Sequence, residues 1–330
     1  QHVPAAEDVP DQTKYVALLR RNVRLPRERV LELGGRLSAA GAERATRRLV
    51  GRWGDRPVTV HGPRREPGFT AGSGRGLFFS RGVDSMFSLV RSVRAETPGF
   101  THLLGVADLD HWISPTARAA SFHRTRLTAR DVGLPLVCFT TNARELLDPI
   151  ADWARAHGSV FSSCALLIAP LLRSTTLAAS FSLPYAERWR SHPDIEMWSS
   201  ETTAIEHDGD DTTRPDKLMC LAQEPDLLRQ VKVCWTADTA GNCGRCPKCL
   251  LTMTVLDLLG ALEPGVFDAE FDLDALVDAR FAMSSEMLWE HLDWLAARPE
   301  QPTVFRRAWL AHGRQHGALG ADVGEAPREE

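Results

Sequence analysis

Residues 77–90 read Leu-Phe-Phe-Ser-Arg-Gly-Val-Asp-Ser-Met-Phe-Ser-Leu-Val. Leu77, Phe78 and Phe79 form an apolar run, as expected of a strand covered on both faces. A polar turn from Ser80 to Ser85 follows, with Gly82 inside it. Met86, Phe87, Leu89 and Val90 then fall on helical spacings. A buried strand, a hydroxyl-rich turn and a helix start make an anion site. Unpaired N–H groups and the positive end of the helix dipole converge there. Ser80 and Ser85 add hydroxyl donors. Asp84 is an acid where an anion is expected, so its expected partners are Mg²⁺ or neighbouring N–H groups.

The same alternation continues downstream. Strands are predicted over 77–79, 101–107, 134–139 and 175–181. Helices are predicted over 84–93, 115–132, 144–157 and 160–172. This order predicts an α/β fold, a parallel sheet with helices on both faces. Ligands in such sheets sit beyond the carboxyl ends of the strands. Those ends fall at Ser80, at 107–108, at 140–142 and at 180–182. Residues 184–211 lack periodicity and are read as an irregular connection, with a functional loop and ordinary packing equally open. Trp189, His192 and Trp198 in that stretch, with His111, are pocket candidates on position alone. A helix over 214–222, its continuation over 226–230 and a short strand over 231–235 follow.

Upstream, 27–49 carries a helical pattern and 57–60 a short strand pattern. Residues 62–76, rich in Gly, Pro and Arg, read as a linker and boundary. The N-terminal region is basic, yet few aromatics interleave with its arginines. A small helical cap with solvated arginines is therefore preferred to a nucleic-acid surface. Beyond residue 262, helical patterns over 270–296, broken near Ser284-Ser285, and over 303–316 predict a C-terminal helical cap, with a dimer contact or substrate-pocket lining as further uses. Residues 1–12 and 320–330 are expected to be disordered. The predicted layout is 1–75 N-terminal basic region with linker, 76–262 central domain, and 263–330 cap and tail.

Composition narrows the classes. Across 330 residues the net charge is -4 and the hydrophobic share 43%. Neither gives a general push toward nucleic acid or membrane. No apolar run approaches the roughly 20 residues that span a bilayer. The N-terminal sequence carries no signal-peptide pattern, so a cytoplasmic location is expected. Among seven cysteines, Cys234, Cys243, Cys246 and Cys249 form C-x8-C-x2-C-x2-C. That spacing brings four sulfurs round one point and predicts a closed metal site of structural type. Zinc and an iron–sulfur cluster both suit it. Arg245 and Lys248 are placed to offset the negative thiolates. Cys138, Cys164 and Cys220 are read as small core residues.

The turn Ser80-Arg81-Gly82-Val83-Asp84-Ser85 resembles the PP-loop, S-G-G-x-D-S, of the ATP-pyrophosphatase superfamily, whose fold is HUP-like. The cysteine pattern resembles the zinc site of 7-cyano-7-deazaguanine synthases, which favours zinc over iron–sulfur. The resemblance covers about residues 76–260. It implies ATP with Mg²⁺, Zn²⁺ in the four-cysteine segment 234–249, and adenylation of a small-molecule carboxylate or carbonyl. Ammonia or an amine then displaces AMP. It further implies phosphate contacts from Ser80, Arg81, Gly82, Val83, Asp84 and Ser85, and adenine contacts at the backbone of Val106 to Asp108. Arg214, with Lys217 as the alternative, would neutralise the pyrophosphate. Asp84, Ser85, Arg214 and Lys217 are thus the expected catalytic set. Arg81 departs from the motif, where Gly is usual. It leaves two readings open, an added phosphate cation or an altered loop. The alternative functions are sulfur transfer to tRNA or a small molecule, and a nucleotide-binding module with a degenerate loop.

Overall fold

The computed structural model describes residues 30–32, 59–61, 70–95, 99–110, 113–149, 153–183, 193–234, 240–272 and 285–298. Near the N-terminus, β1 (Val30–Glu32) and β2 (Thr59–His61) pair in parallel. The helical reading of 27–49 is therefore wrong at Val30–Glu32, where a β-branched and apolar start, Val-Leu, extends against β2. The rest of 27–49 lies outside the described residues.

The main sheet holds β3 (Gly74–Phe78), β4 (His102–Ala107), β5 (Leu136–Thr140), β6 (Leu172–Ala178) and β7 (Ala204–Asp208). Their order is β5-β4-β3-β6-β7, and every pairing is parallel. Helices lie around the sheet: α1 (Val83–Arg94), α2 (Pro115–Asp131), the short α3 (Ala143–Leu147), α4 (Trp153–Leu167), α5 (Arg214–Leu221), α6 (Pro225–Leu228), α7 (Pro247–Leu258) and α8 (Ser285–Ala296). The α/β expectation holds at this level.

Side-chain alternation in the sheet divides the core in two. Leu77, Phe79 and Leu103 pack with Met86, Leu89 and Val90 of α1 and with Leu250 and Met253 of α7. Phe78, Leu104, Leu172 and Ile205 pack with Cys164 and Ala165 of α4 and with Ile195. Strands flanked by apolar residues on both sides read as continuous hydrophobic runs, which is why 77–79 was legible.

Several expectations are corrected. The strand at 77–79 starts earlier, at Gly74, so the linker reading of 62–76 fails at its end. A Cβ on Gly74 would lie 2.7 Å from Leu172 Cδ2 and 2.9 Å from the Leu171 carbonyl oxygen. This glycine serves close packing inside the sheet rather than chain freedom. The helices expected at 144–157 and 160–172 are α3 and α4, so the break precedes Trp153 instead of following His157. Gly158 stays inside α4, where an added Cβ would make only an ordinary contact with Ile195, at 3.7 Å.

Residues 184–211 are not irregular throughout. Pro193–Trp198 forms a 3-10 helix, and Ala204–Asp208 is the edge strand β7, in register with Ser174 to Ala178 of β6. Its sequence, Ala-Ile-Glu-His-Asp, buries Ile205 and keeps polar groups on an edge, so hydropathy alone hid it. The expected strand at 231–235 is not a strand over 231–234, whose N–H groups bond to Leu228, Arg81 and Asn242. Residues 270–272 are not helical, α8 covers the part of the pattern after the expected break near Ser284-Ser285, and 273–284 lie outside the described residues. Cys164 is buried as expected, but Cys138 is exposed on the edge strand β5 and Cys220 is half-buried. Among the described residues no helix is long and apolar enough to cross a membrane.

Candidate functional site

The strand order carries the chain from β3 outward through β4 to β5. It then returns to the other side of β3 for β6 and β7. The loops after β3 and β6 therefore leave in opposite directions and open a crevice at the carboxyl edge, the usual ligand position of such sheets. The turn at 80–82 forms one bank and residues 179–182 the other.

The turn begins one residue after Phe79, whose N–H donates to the Leu104 carbonyl at 2.8 Å. Ser80 is exposed, and its Oγ accepts from the Gly82 N–H at 3.2 Å. Gly82 is the N-cap of α1, with extended backbone and no side-chain cap. The first-turn N–H groups of α1 have no intrahelical acceptor. Val83 is fully buried, so only its backbone is available. Ser85 Oγ donates to the Gly82 carbonyl at 3.2 Å and closes the turn.

Asp84 reaches the opposite bank. Its Oδ2 accepts from Arg214 Nη1 at 2.8 Å, and its Oδ1 lies 3.5 Å from Lys217 Nζ. Lys217 Nζ also donates to the Ala179 carbonyl at 2.7 Å. Arg214 is 5% exposed and Lys217 1%. Both cations stand in the first turn of α5. Thr213 caps that helix by accepting from the Asp216 N–H at 3.3 Å, and Pro215 follows at its start. Two buried cations at a helix N-terminus oppose the dipole. Asp84 is the group that makes the arrangement tenable, and an arriving anion would do the same. Gly209 (φ +83°) lets the Lys217 stem pass, since a Cβ there would sit 3.3 Å from Lys217 Cε. The Lys217 ammonium lies 5.9 Å from the Phe87 ring centre.

The structure brings Asp84, Arg214 and Lys217 together, with both cations on Asp84, while the Ser85 hydroxyl turns to the Gly82 carbonyl. Glu290 of α8 was not foreseen. Its Oε1 accepts from the Ser182 N–H at 3.1 Å and from Ser182 Oγ at 2.7 Å. Burial raises the Glu290 pKa above the usual carboxylate range, against the Ser182 hydrogen bonds. No sequence signal links residues 108 positions apart. Trp294 Nε1 donates to Asp216 Oδ1 at 2.8 Å, and Arg298 stacks on Trp294 at 3.9 Å, so α8 is anchored on α5.

Other expected residues make contacts of their own. Val106 is half-buried in the second core, and Asp108 (φ +66°) accepts from Arg118 Nη1 at 3.1 Å. Trp198 packs against the second core. His111, Trp189 and His192 lie outside the described residues.

Arg81 adopts φ +63°, the region glycine favours. That conformation costs a residue with a side chain about 1 kcal/mol. Its guanidinium does not join the Asp84 cluster. Nε donates to Thr125 Oγ1 at 3.2 Å, Nη1 to the Gln230 carbonyl at 3.1 Å, and Nη2 to the Ser121 carbonyl and Oγ at 3.2 Å each. Burial first, then the Arg124 charge, lowers its pKa to about 10, so it is still charged at neutral pH.

Cys234, Cys243, Cys246 and Cys249 offer four sulfurs all within 4.8 Å of one another. Cys243–Cys249 and Cys246–Cys234 Sγ distances are both 3.9 Å. Zn–S bonds of about 2.3 Å in a tetrahedron place sulfurs about 3.8 Å apart. The donor set therefore fits zinc. The N–H groups of Arg245 and Cys246 point at Cys243 Sγ, at 3.4 and 3.2 Å. Sulfurs this close resist ionisation without a cation. The Cys246 thiol is pushed up to about 11, first by its hydrogen bond with Cys234. A dication reverses that balance. Lys248 falls to about 8, first through burial and then through the Arg214 charge, with Asp84 opposing. The cluster thus lies close to the crevice.

Asn242 holds the segment in shape and was also missed. Its Oδ1 accepts from the N–H groups of Val233 (2.8 Å) and Cys234 (3.2 Å), and its Nδ2 donates to the carbonyls of Val231 (2.8 Å) and Val266 (3.1 Å). Its place beside Cys243 was the available signal. Asn242→Ala leaves these buried groups unpaired. It should cost about 2–4 kcal/mol in urea denaturation and speed metal loss to a chelator. A variant as stable as the parent would show that water replaces the amide.

Comparison with family models, with curated proteins and with solved structures returned no match.

Proposed function

We propose that this chain is an ATP-dependent, AMP- and pyrophosphate-forming enzyme that joins a nitrogen nucleophile to a small-molecule carboxylate or carbonyl. The observation that supports it most is Asp84, in the first turn of an uncapped helix, reaching the buried cations Arg214 and Lys217 of α5. The strand order agrees with a HUP-like fold, and the turn keeps Ser80, Asp84 and Ser85 of the PP-loop pattern.

In this reading a substrate oxygen attacks the α-phosphorus of ATP. The bond from that phosphorus to the bridging oxygen breaks, and pyrophosphate leaves. Ammonia or an amine then attacks the activated carbon, the carbon–oxygen bond to AMP breaks, and the nitrogen loses a proton. The first-turn N–H groups of α1 and the Ser80 hydroxyl hold the triphosphate. Arg214 and Lys217 take the negative charge that develops on the leaving pyrophosphate. Asp84 aligns those cations before ATP arrives. Mg²⁺ enters with the nucleotide as its usual counterion. Four cysteines leave no open ligand position, so zinc contributes structure rather than chemistry.

The test is incubation of the purified chain with ATP, Mg²⁺, ammonium and a panel of carboxylates. AMP and pyrophosphate are the expected products, whereas ADP would contradict adenylation. The left-handed Arg81 favours one other reading, a nucleotide-binding module. Tight binding of a non-hydrolysable ATP analogue, with no turnover across the panel, would establish that reading instead.

A further inference from the structure

Residue 81 sits in the anion-binding turn, yet its side chain belongs to the other side of the molecule. Nη1 reaches the Gln230 carbonyl, while Nε and Nη2 hold α2 through Thr125 and Ser121. The backbone answers in the same direction: the Lys232 N–H donates to the Arg81 carbonyl at 2.8 Å. Lys232 Nζ donates to the Gly241 carbonyl. The Val233 and Cys234 N–H groups are held by Asn242. From Arg81 to Cys234 the path is therefore one backbone bond and two residues of chain, with the side-chain bond to Gln230 beside it.

We propose that Arg81 is a positioning residue that couples the anion-binding turn to the cysteine centre. The fork of the guanidinium ties segment 230–232 and α2 to a turn held in the left-handed conformation. The metal fixes the far end of segment 230–234, and the turn is fixed with it. A glycine at this position adopts the same φ at less cost but supplies no tie. The side chain is thus retained against its own strain, which is the mark of a specific job. An ammonium does not replace it, because a lysine lacks the planar fork that spans Gln230 and Ser121 together. The coupling is reciprocal: whatever the metal contributes to the turn, the turn contributes to metal retention.

The experiment compares the metal-loaded full chain with Arg81→Asn and Arg81→Lys. Asparagine tolerates positive φ, so backbone strain is not the variable. Two readings are taken: amide hydrogen exchange over residues 79–86, and the rate of metal transfer to a chelator. Both variants should show exchange faster by about 10-fold in that segment, with Leu103 and Leu104 of β4 unchanged. Metal release should accelerate as well, because a loosened turn holds segment 230–234 less firmly around Cys234. Unchanged exchange, or unchanged metal release, overturns the proposal. Full rescue by Arg81→Lys overturns it as well, since charge alone would then suffice. If a variant also exposes the β4 amides, Thr125→Val replaces it, removing one acceptor of the fork. It should move both readings by about 2-fold, and no movement overturns the coupling. The inference rests on the ATP reading only for what the turn binds. A parent chain that forms no AMP would sink the enzyme and leave both measurements standing.

Discussion

Asp84→Asn is expected to abolish ATP-dependent release of AMP and pyrophosphate, by at least about 100-fold. The substitution keeps the side-chain shape and removes its charge. Arg214 and Lys217, 5% and 1% exposed, then lose the carboxylate that both touch. Uncompensated buried cations shift apart or draw in water and anions, and the alignment needed at the leaving pyrophosphate is lost. Affinity for the nucleotide should move differently. With the acid gone, the site gains net positive charge, so a non-hydrolysable ATP analogue without Mg²⁺ should bind at least as tightly as to the parent. Turnover and binding thus separate, which a generally damaged protein would not show. Breaking a fully buried pair from one side costs roughly 3–5 kcal/mol. The Asp84 side chain is 17% exposed, so the cost is smaller, and a Tm drop on the order of 5 °C is expected. Full turnover in this variant would falsify the assignment of the turn.

Removal of the metal should have the larger effect on stability. The purified chain should carry a single zinc ion, be colourless, and lose cooperative unfolding when stripped by a strong chelator. Cys234, Cys246 and Cys249 share a core with Leu250, Leu251, Met253, Val266 and Phe267, so the centre is continuous with the main hydrophobic core. Structural zinc contributes apparent free energies of about 10–16 kcal/mol in small domains. Here the sheet shares the load, and a Tm decrease of more than about 10 °C is expected. Cys249→Ser, at a fully buried position, should bind little zinc and behave like the stripped parent. A brown protein containing iron would reassign the centre to a cluster. A stripped chain with the parent's Tm would show that the four sulfurs need no metal.

The legible parts of the molecule share one physical property. Where residues are buried on both sides, apolar runs mark them, and β3, β4 and the buried face of α1 were placed to within a few residues. Where only one edge or one side is buried, the pattern weakens. Ala204–Asp208 looks polar because it closes the sheet at its edge, and Gly74 to Gly76 look like linker because packing there excludes a side chain. Val231 to Cys234 alternate like a strand but bond to Asn242 and Arg81 instead of a ladder. Helix α7 starts inside the cysteine motif, with Cys246 as its N-cap and Cys249 in its first turn, and the cysteine spacing masked its periodicity.

By itself the sequence determined the alternating α/β order, the four-cysteine set and the chemical types gathered at residues 80–85. These depend on local spacing and burial, which are written in neighbouring residues. Only the tertiary structure decided which charges meet. Asp84 and Arg214 are separated by 130 residues, and Arg81 and Gln230 by 149, so no local pattern records either pair. The same holds for the direction of the Arg81 side chain. Its positive φ is a backbone fact shared with glycine, but its orientation follows from the carbonyls and hydroxyls that α2 and segment 230–232 place around it. A buried guanidinium goes where its donors are satisfied. In this chain that place is behind the turn at 80–82, toward the four clustered cysteines.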